Sequence, residues 1–214
     1  MHRVELVAMN MEDLQRAQQA LRNNDRSFAA EAYWEKRKHL VYYNVIRILV
    51  GKLSETSGSL LDVGSGNCPY LEWFDHVPER ISLDAIRPYS APGVTPVKTD
   101  FLEWSPGRKF DVVTCLQVME HVPDVAAFAG KLLDIAEVLV ISVPYKWPAG
   151  QTPGHIHDPV DEKKLLGWFK RKPSYSYMCR EITGNVFRLV QVYDQAAKPW
   201  KSLKERAALL LKQP

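Results

Sequence analysis

A glycine pair directly after an apolar run is the first feature of the chain that points to ligand chemistry. Residues 60–71 read LLDVGSGNCPYL, with Gly64 and Gly66 two positions apart. Glycines at this spacing after a predicted strand bring the backbone close to a nucleotide. The dinucleotide fingerprint continues after Gly66 with a third glycine, which this chain lacks because it reads Asn67-Cys68-Pro69 there, and a P-loop requires a Gly-Lys-Ser/Thr sequence that is absent here. The turn therefore favours a nucleoside ligand that carries no phosphate.

Acidic residues at the ends of the next two predicted strands extend this nucleoside-binding pattern. Asp84 follows Gly64 by about 20 residues, where a carboxylate can accept hydrogen bonds from both ribose hydroxyls. Asp100 is followed by Phe101. Such a pair suits an adenine, because the carboxylate accepts from the amino group and the ring covers the base. A nucleoside with ribose, adenine and no phosphate points to S-adenosylmethionine, and a nicotinamide dinucleotide is disfavoured by the missing third glycine.

A carboxylate and three histidines form a second group of residues able to do chemistry. Glu120 and His121 follow the fourth predicted strand, and His155 and His157 alternate across an extended segment between Pro153 and Pro159, within a stretch over residues 144–159 that is rich in proline and glycine. A histidine can remove a proton from an acceptor hydroxyl, so His121 and His157 are the candidate general bases. A connection of this length is typical of loops that carry function. A surface loop with solvated histidines is the alternative.

The positions of these residues follow from an alternation of predicted strands and helices. The alternation, closed by a hairpin around residues 183–185, predicts a mostly parallel sheet with one antiparallel edge. Loops after the carboxyl ends of the first, second and fourth strands then meet at one crevice. The predicted helices cover residues 11–23, 27–54, 69–76 and 123–135 and the stretch DEKKLLGWF. The predicted strands are SGSLLDV, RISLDAI, VTPVKTDF, FDVVTCL, AEVLVISV, SYSYMCREI and VFRLVQVYD.

Four motifs in this order resemble the class I S-adenosylmethionine-dependent methyltransferases over residues 27–193. LLDVGSGNC resembles their first motif, SLDAI the ribose-binding acid, VKTDF the adenine motif and FDVVTCLQVMEHV the fourth-strand motif. The resemblance implies an α/β, Rossmann-like sheet of seven mostly parallel strands in the order 3-2-1-4-5-7-6, with helices on both faces. It implies that the cofactor-binding residues are Asp62, Gly64, Gly66, Asp84, Asp100, Phe101 and Gln117.

The segment after the fourth strand also resembles two metal-using branches of the family. The ubiquinone-pathway O-methyltransferases and the small-RNA 3′-end ribose methyltransferases carry a Glu-x-x-Glu-His motif there. This chain has Gln117 at the first Glu but keeps Glu120 and His121. The resemblance implies a Mg²⁺ or Mn²⁺ site, which would shift the base role to His157 or to metal-bound water. Its ligands would be Glu120, His121, either His155 or His157, and the amide oxygen of Gln117.

Aromatic and basic residues predict where the methyl acceptor binds. Tyr33, Arg37, Tyr145 and Trp147 suit a polar ring or a sugar, although ordinary amphipathic packing would explain the same residues. We expect in-line methyl transfer to a hydroxyl of a small molecule, a sugar or glycoconjugate ahead of a phenol or carboxylate, assisted by a histidine base or a metal-activated hydroxyl. The alternatives are N-methylation and a methyltransferase-like module that binds the cofactor without catalysis.

Composition narrows the range of partners. The chain has 214 residues and a formal net charge of +3, with no strong basic stripe outside its tail, so no long nucleic acid partner is expected. Its three cysteines are odd in number and widely spaced, which indicates reduced thiols and a cytoplasmic location. No stretch approaches the roughly 18 apolar residues of a membrane span, so no stable membrane insertion is expected.

The chain is predicted to have three parts. Residues 1–54 form an N-terminal helical cap, residues 55–195 the methyltransferase core, and residues 196–214 a basic amphipathic tail. In the tail, Trp200, Leu203 and Leu210 share one helical face. We expect this face to pack on the core or on a second copy of the chain, in which case the protein is a homodimer.

Overall fold

Seven strands form one sheet in the computed structural model, which describes residues 34–182 and 184–195. The strands are β1 Ser59–Val63, β2 Glu79–Asp84, β3 Val94–Lys98, β4 Phe110–Leu116, β5 Ala136–Pro144, β6 Tyr175–Arg180 and β7 Phe187–Asp194. Their order is β3-β2-β1-β4-β5-β7-β6. β7 runs antiparallel to both of its neighbours, and the other pairs are parallel. The predicted strands and sheet order are confirmed.

The described residues also form three α-helices and two 3₁₀ turns, of which the first helix precedes the sheet and the others connect its strands. The helices are α1 Val41–Leu53, α2 Val125–Ile135 and α3 Glu162–Phe169, and the 3₁₀ turns are Pro69–Phe74 and Met119–His121. The helix predicted over 69–76 is thus a 3₁₀ turn, and the tail lies outside the described residues. The chain divides into two compact units, residues 1–39 and 40–214, and α1 belongs to the second. The three-part organisation stays a prediction.

Helix α1 begins later than the hydrophobic pattern predicts. The chain forms a turn over residues 36–39, and the helical hydrogen-bond pattern of α1 starts at Val41. The first amides of α1 are bound by a carboxylate, because Val41 N donates to Glu181 Oε2 at 2.8 Å and Tyr42 N to Glu181 Oε1 at 3.2 Å. A negative charge at a helix N-terminus satisfies free amides and the helix dipole. This acceptor lies about 140 residues away, so no local pattern could indicate where the helix begins.

Helices cover both faces of the sheet, as predicted. The Tyr42 hydroxyl of α1 lies 2.8 Å from Ser142 Oγ in β5. The neighbouring Ile141 belongs instead to the core cluster that contains Phe128 and Leu132 of α2. Because adjacent residues of a strand point to opposite faces, α1 and α2 lie on opposite sides of the sheet.

The parallel register brings the carboxyl ends of the central strands together. Val63 at the end of β1 pairs with Leu83 of β2, and Asp62 pairs with Thr114 of β4. Gly64 N extends the ladder beyond β1 by donating to Leu83 O at 2.7 Å. The loops that follow β1, β2 and β4 therefore start from one edge of the sheet.

The described residues contain neither a disulfide nor a helix able to cross a membrane. Cys68, Cys115 and Cys179 are buried free thiols, as their number and spacing predicted. Within residues 34–182 and 184–195, every helix falls short of the length and apolar character that a membrane span requires.

Candidate active site

The glycine turn needs left-handed backbone at two of the three positions of the dinucleotide fingerprint. Gly64 has φ +81° and Gly66 φ +56°, and between the turn and the 3₁₀ segment Asn67 also has a positive φ of 64°. Asparagine tolerates this region better than most residues. Cys68 has extended backbone with φ −85° and ψ 129°, which the following Pro69 favours. Pro69, at the third position of the fingerprint, begins a short 3₁₀ segment, so the long helix that a third glycine would allow to pack closely is absent.

A crevice of about 770 Å³ opens at the carboxyl ends of β1, β2 and β4. Three carboxylates, Asp84, Asp100 and Asp124, line it, and Arg87 and His121 are its basic side chains among the described residues. A crevice with this balance of charge fits a cationic nucleoside better than a polyphosphate. The predicted cofactor-binding residues in its lining are Gly64, Gly66, Asp84, Asp100, Phe101 and Gln117.

Asp84 is held by the backbone on both of its carboxylate oxygens. Oδ2 accepts from Gly66 N at 2.9 Å, and Oδ1 accepts from Ile86 N and Arg87 N, both at 2.8 Å. A carboxylate offers about four lone-pair positions, so acceptor capacity remains for a ribose hydroxyl. Asp84 therefore also holds the glycine turn, a role that the sequence did not indicate.

The Asp100–Phe101 pair lies on the same crevice. The Asp100 carboxylate accepts from Leu102 N at 2.7 Å, which fixes it in a turn that begins after β3. The Phe101 ring is buried, 4.8 Å from the Phe128 ring between centroids. The pair thus presents an exposed carboxylate beside a rigidly packed ring.

Asp62 is the predicted cofactor-binding residue that the crevice lining does not include. It is buried within β1, and its Oδ1 accepts from the Thr114 hydroxyl at 2.7 Å. Burial raises the pKa of Asp62 to about 7, against the opposing effect of hydrogen bonds from Tyr70 and Thr114. Asp62 therefore supports the turn from beneath, inside the sheet.

His121 lines the crevice and its tautomer is set by one hydrogen bond. Its Nδ1 lies 2.9 Å from the carbonyl oxygen of Gly154. A carbonyl oxygen only accepts, so Nδ1 carries a hydrogen, and in the neutral imidazole the lone pair is on Nε2. The His155 ring meets His121 edge-on at 4.7 Å between centroids. His155 Nδ1 lies 2.7 Å from Asp158 Oδ2, which orients this second imidazole in the same way.

Glu120 joins these two histidines in one cluster. Each of these three residues, Glu120, His121 and His155, offers one ligand atom, and the three atoms lie within 4.8 Å of one another. Glu120 is buried, and its Oε2 has no hydrogen-bond partner. Burial, together with the nearby charge of Asp158, raises the pKa of Glu120 to about 8. A carboxylate and two imidazoles with fixed outer partners are chemically suited to a divalent cation.

His157 lies outside this cluster. Its Nε2 donates to the carbonyl oxygen of Val122 at 2.8 Å, and its ring meets Trp168 edge-on at 5.2 Å. The expectation that His155 and His157 alternate along an extended segment is wrong, because residues 151–159 form successive turns and bends. Of the two, the structure brings His155 to His121.

Tyr145 and Trp147 line a second cavity, of about 690 Å³, not the crevice. The cavity lies between residues 145–152 and the β6–β7 hairpin. Lys146 is its charged side chain, and its described lining includes no carboxylate. Trp147 also stacks on His155 at 5.8 Å between centroids, so it separates the cavity from the histidines. Tyr33 lies outside the described residues, and Arg37 belongs to the unit of residues 1–39.

A buried polar network behind the crevice was missed by sequence reasoning. Gln117 Oε1 accepts from Arg188 Nε at 3.2 Å, and Gln117 Nε2 donates to Ser142 Oγ at 3.1 Å. Arg188 Nη1 donates to Glu181 Oε1 at 2.8 Å, and Ser142 Oγ lies 2.8 Å from the Tyr42 hydroxyl. The available indication was an arginine beside the apolar residues of the last predicted strand.

The sheet order, the glycine turn and the acids beyond it define a class I S-adenosylmethionine-dependent methyltransferase. The sequence agrees, because residues 33–198 match the family model described as a methyltransferase domain. The chain belongs to this family. No curated protein matches the sequence.

Solved structures of methyltransferases share the fold. A 1,6-didemethyltoxoflavin-N1-methyltransferase from Burkholderia thailandensis has a TM-score of 0.64 and 16% identity, over 89% of this chain and 92% of that one. The N-methyltransferase NodS from Bradyrhizobium japonicum has a TM-score of 0.59 and 12% identity, over 74% and 89%. An S-adenosylmethionine-dependent methyltransferase from Clostridium acetobutylicum has a TM-score of 0.56 and 10% identity, over 78% and 97%. At these identities the agreement concerns the fold.

Proposed function

We propose that the protein methylates a hydroxyl of a small molecule, with S-adenosylmethionine as donor and His121 as general base. The observation that carries the proposal is the hydrogen bond from His121 Nδ1 to Gly154 O at the crevice. In the neutral imidazole this hydrogen bond places the hydrogen on Nδ1, so that the lone pair a base requires lies on Nε2. The bound sulfonium would supply the methyl group and a good leaving group, so the protein has to align the acceptor and remove its proton.

The crevice residues would hold the nucleoside of the donor. Asp84 would accept from the ribose, and Asp100 with Phe101 would hold the adenine. The ligands bound in two similar structures support this assignment, since the B. thailandensis and NodS enzymes were crystallised with S-adenosylhomocysteine. Gln117 and the glycine turn would then face the amino-acid end.

The second cavity is proposed to hold the ring of the acceptor. It has aromatic walls and Lys146 but no described carboxylate, which suits a neutral or anionic ring and disfavours a cation. Trp147 and His155 stand between the cavity and His121. An acceptor would therefore be long enough to pass these rings, as a sugar or glycoconjugate would be. The B. thailandensis enzyme was crystallised with 1,6-didemethyltoxoflavin bound.

Turnover and cofactor binding of His121→Ala test the base. Methyl transfer from labelled S-adenosylmethionine to a cell extract should fall by about 10²–10⁴-fold, because the proton acceptor is lost. Calorimetric affinity for S-adenosylhomocysteine should stay within about threefold. His76→Ala is the matched control, since His76 contacts Ser54 Oγ before β2, outside the crevice lining. Normal turnover in His121→Ala, with loss in His157→Ala, would move the base role to His157.

A metal-assisted reaction is the second candidate, favoured by the cluster of Glu120, His121 and His155. These residues would hold Mg²⁺, Mn²⁺ or a softer ion, which would act as a Lewis acid. Loss of turnover with a chelator and recovery with Mg²⁺ or Mn²⁺ would establish it, and His121 would then be a ligand. Turnover that a chelator leaves unchanged would support His121 as the general base.

N-methylation is the alternative acceptor chemistry. The two similar structures named as N-methyltransferases support it. A neutral amine can attack the methyl group before it loses its proton, so the base matters less. Identification of the methylated atom by mass spectrometry and NMR, together with the size of the His121→Ala effect, would distinguish the two acceptors.

A further inference from the structure

Arg188 is a buried charge that touches residues of both proposed binding sites. Its side chain is 6% exposed, in β7 beside the carboxyl end of β5, where it pairs with Pro144. Nε donates to Gln117, which lines the crevice, and Nη1 donates to Glu181. The guanidinium carbon lies 5.5 Å from the ring centroid of Trp147, which lines the second cavity, and 5.3 Å from that of Tyr42.

The arginine is held in place from four directions. The two rings provide cation–π contacts, and Glu181 and Gln117 accept from different nitrogens of the rigid fork. A lysine has one ammonium group on a flexible stem and cannot reproduce this arrangement. The guanidinium of Arg188 therefore has a fixed orientation, and it can fix the orientation of the side chains that bond to it.

Gln117 depends on such a partner for its orientation. It has a φ of +58°, which is unusual for a residue other than glycine, and its N donates to Ser142 O at 2.9 Å. Since an arginine nitrogen only donates, the amide oxygen of Gln117 has to face Arg188 and the amide nitrogen Ser142. One amide hydrogen and one oxygen lone pair remain for a ligand in the crevice.

We propose that Arg188 is a positioning residue that fixes the amide of Gln117 for the cofactor. It acts through Gln117 and does not itself line the crevice. The proposal rests on the cofactor part of the proposed function. It predicts that Arg188 matters for cofactor affinity only while Gln117 is present.

A double-mutant cycle on S-adenosylhomocysteine affinity tests this dependence. Arg188→Met should weaken calorimetric affinity by about 3–10-fold, the range of one hydrogen bond, and Gln117→Ala by a similar factor. The double variant should bind no more weakly than Gln117→Ala alone. Arg188→Lys should show a smaller loss than Arg188→Met. If Arg188→Met does not fold, the same cycle is measured with Arg188→Lys.

Arg80→Met is the matched control. Arg80 is also a buried arginine, but its Nη1 donates to Leu71 O and it lies outside the crevice lining. Its replacement should lower the melting temperature and leave the affinity of both the wild type and Gln117→Ala unchanged. Unchanged S-adenosylhomocysteine affinity in Arg188→Met, or losses that multiply in the double variant, would overturn the inference about Arg188 but not the cofactor assignment. No binding by the wild type would overturn the cofactor assignment as well.

Discussion

Adding one methyl group at Gly64 or at Gly66 should have two different consequences. Both glycines have positive φ, so alanine is strained at either position. A Cβ on Gly64 would also lie 2.9 Å from Val118 Cγ1 and closer still to Cγ2, whereas a Cβ on Gly66 would meet nothing within 4 Å. Gly66→Ala is thus a matched control for the backbone strain in Gly64→Ala.

The expected magnitudes follow from these two contributions. Left-handed backbone costs an alanine about 1–2 kcal/mol, and forcing a methyl into a packed position costs about 1–3 kcal/mol. Gly64→Ala should therefore lower the free energy of unfolding by about 2–5 kcal/mol, and Gly66→Ala by about 1–2 kcal/mol. The space beside Gly66 lies on the crevice, so Gly66→Ala should weaken S-adenosylhomocysteine binding by about tenfold or more.

Denaturant unfolding and calorimetric titration of five variants, the three single substitutions at positions 64, 66 and 118 and the two pairs that include position 118, check this reasoning. Val118→Ala removes the methyls that a side chain at position 64 would meet, so it should recover about 1–2 kcal/mol of unfolding free energy in Gly64→Ala. When Val118→Ala is combined with Gly66→Ala, the two losses of unfolding free energy should add to within about 0.5 kcal/mol. Equal destabilisation by the two glycine substitutions, or no recovery with Val118→Ala, would refute the close approach of Val118 to the turn.

Two further predictions concern the acids of this region. Asp84→Ala should weaken S-adenosylhomocysteine binding by about 1–3 kcal/mol, because charge-assisted bonds to the ribose are lost, and Asp84→Asn by less; equal calorimetric affinity in a folded Asp84→Ala would contradict the ribose assignment. The folded pKa of Asp62, about 7, exceeds its ordinary value of 3.8, so the folded chain binds more protons between these values and its stability falls as pH rises through that window. The unfolding midpoint of Asp62→Asn should therefore rise relative to the wild type from about pH 4 to pH 7 and then level off, whereas parallel curves would contradict the raised pKa.

The hydrophobic and glycine patterns were enough to predict those elements whose structure depends on residues near one another in sequence. β1, β4 and β5 are nearly continuous apolar runs because both faces of a central parallel strand are covered. Gly64 and Gly66 could be placed at the sheet edge because a left-handed turn after a strand needs them. The acids that follow the next strands share that edge once the strands are parallel. The order of the strands came from the resemblance to a family.

Contacts between residues far apart in sequence determine the features that the sequence patterns did not predict. Glu181 determines where α1 begins, and Arg188 reaches Gln117 across 71 positions. His155 and His157 are equivalent in sequence, but Asp158 and Trp147 orient the first toward His121, and Trp168 holds the second elsewhere. Tyr145 and Trp147 were expected near the acceptor, but nothing in their spacing indicated a separate cavity.

Val118 lies against Gly64 of the glycine turn and directly precedes the segment that carries His121. Val118 precedes the 3₁₀ turn Met119–His121, and its carbonyl accepts from His121 N at 2.9 Å. Any side chain at position 64 would push Val118 outward, and the turn that carries Glu120 and His121 would move with it. The absence of a Cβ at Gly64 therefore sets how near the imidazole stands to the glycine turn. Since a displacement of about 1 Å can cost about 10²-fold in rate, we propose that this glycine also helps to align His121, the proposed base, apart from allowing its own positive φ.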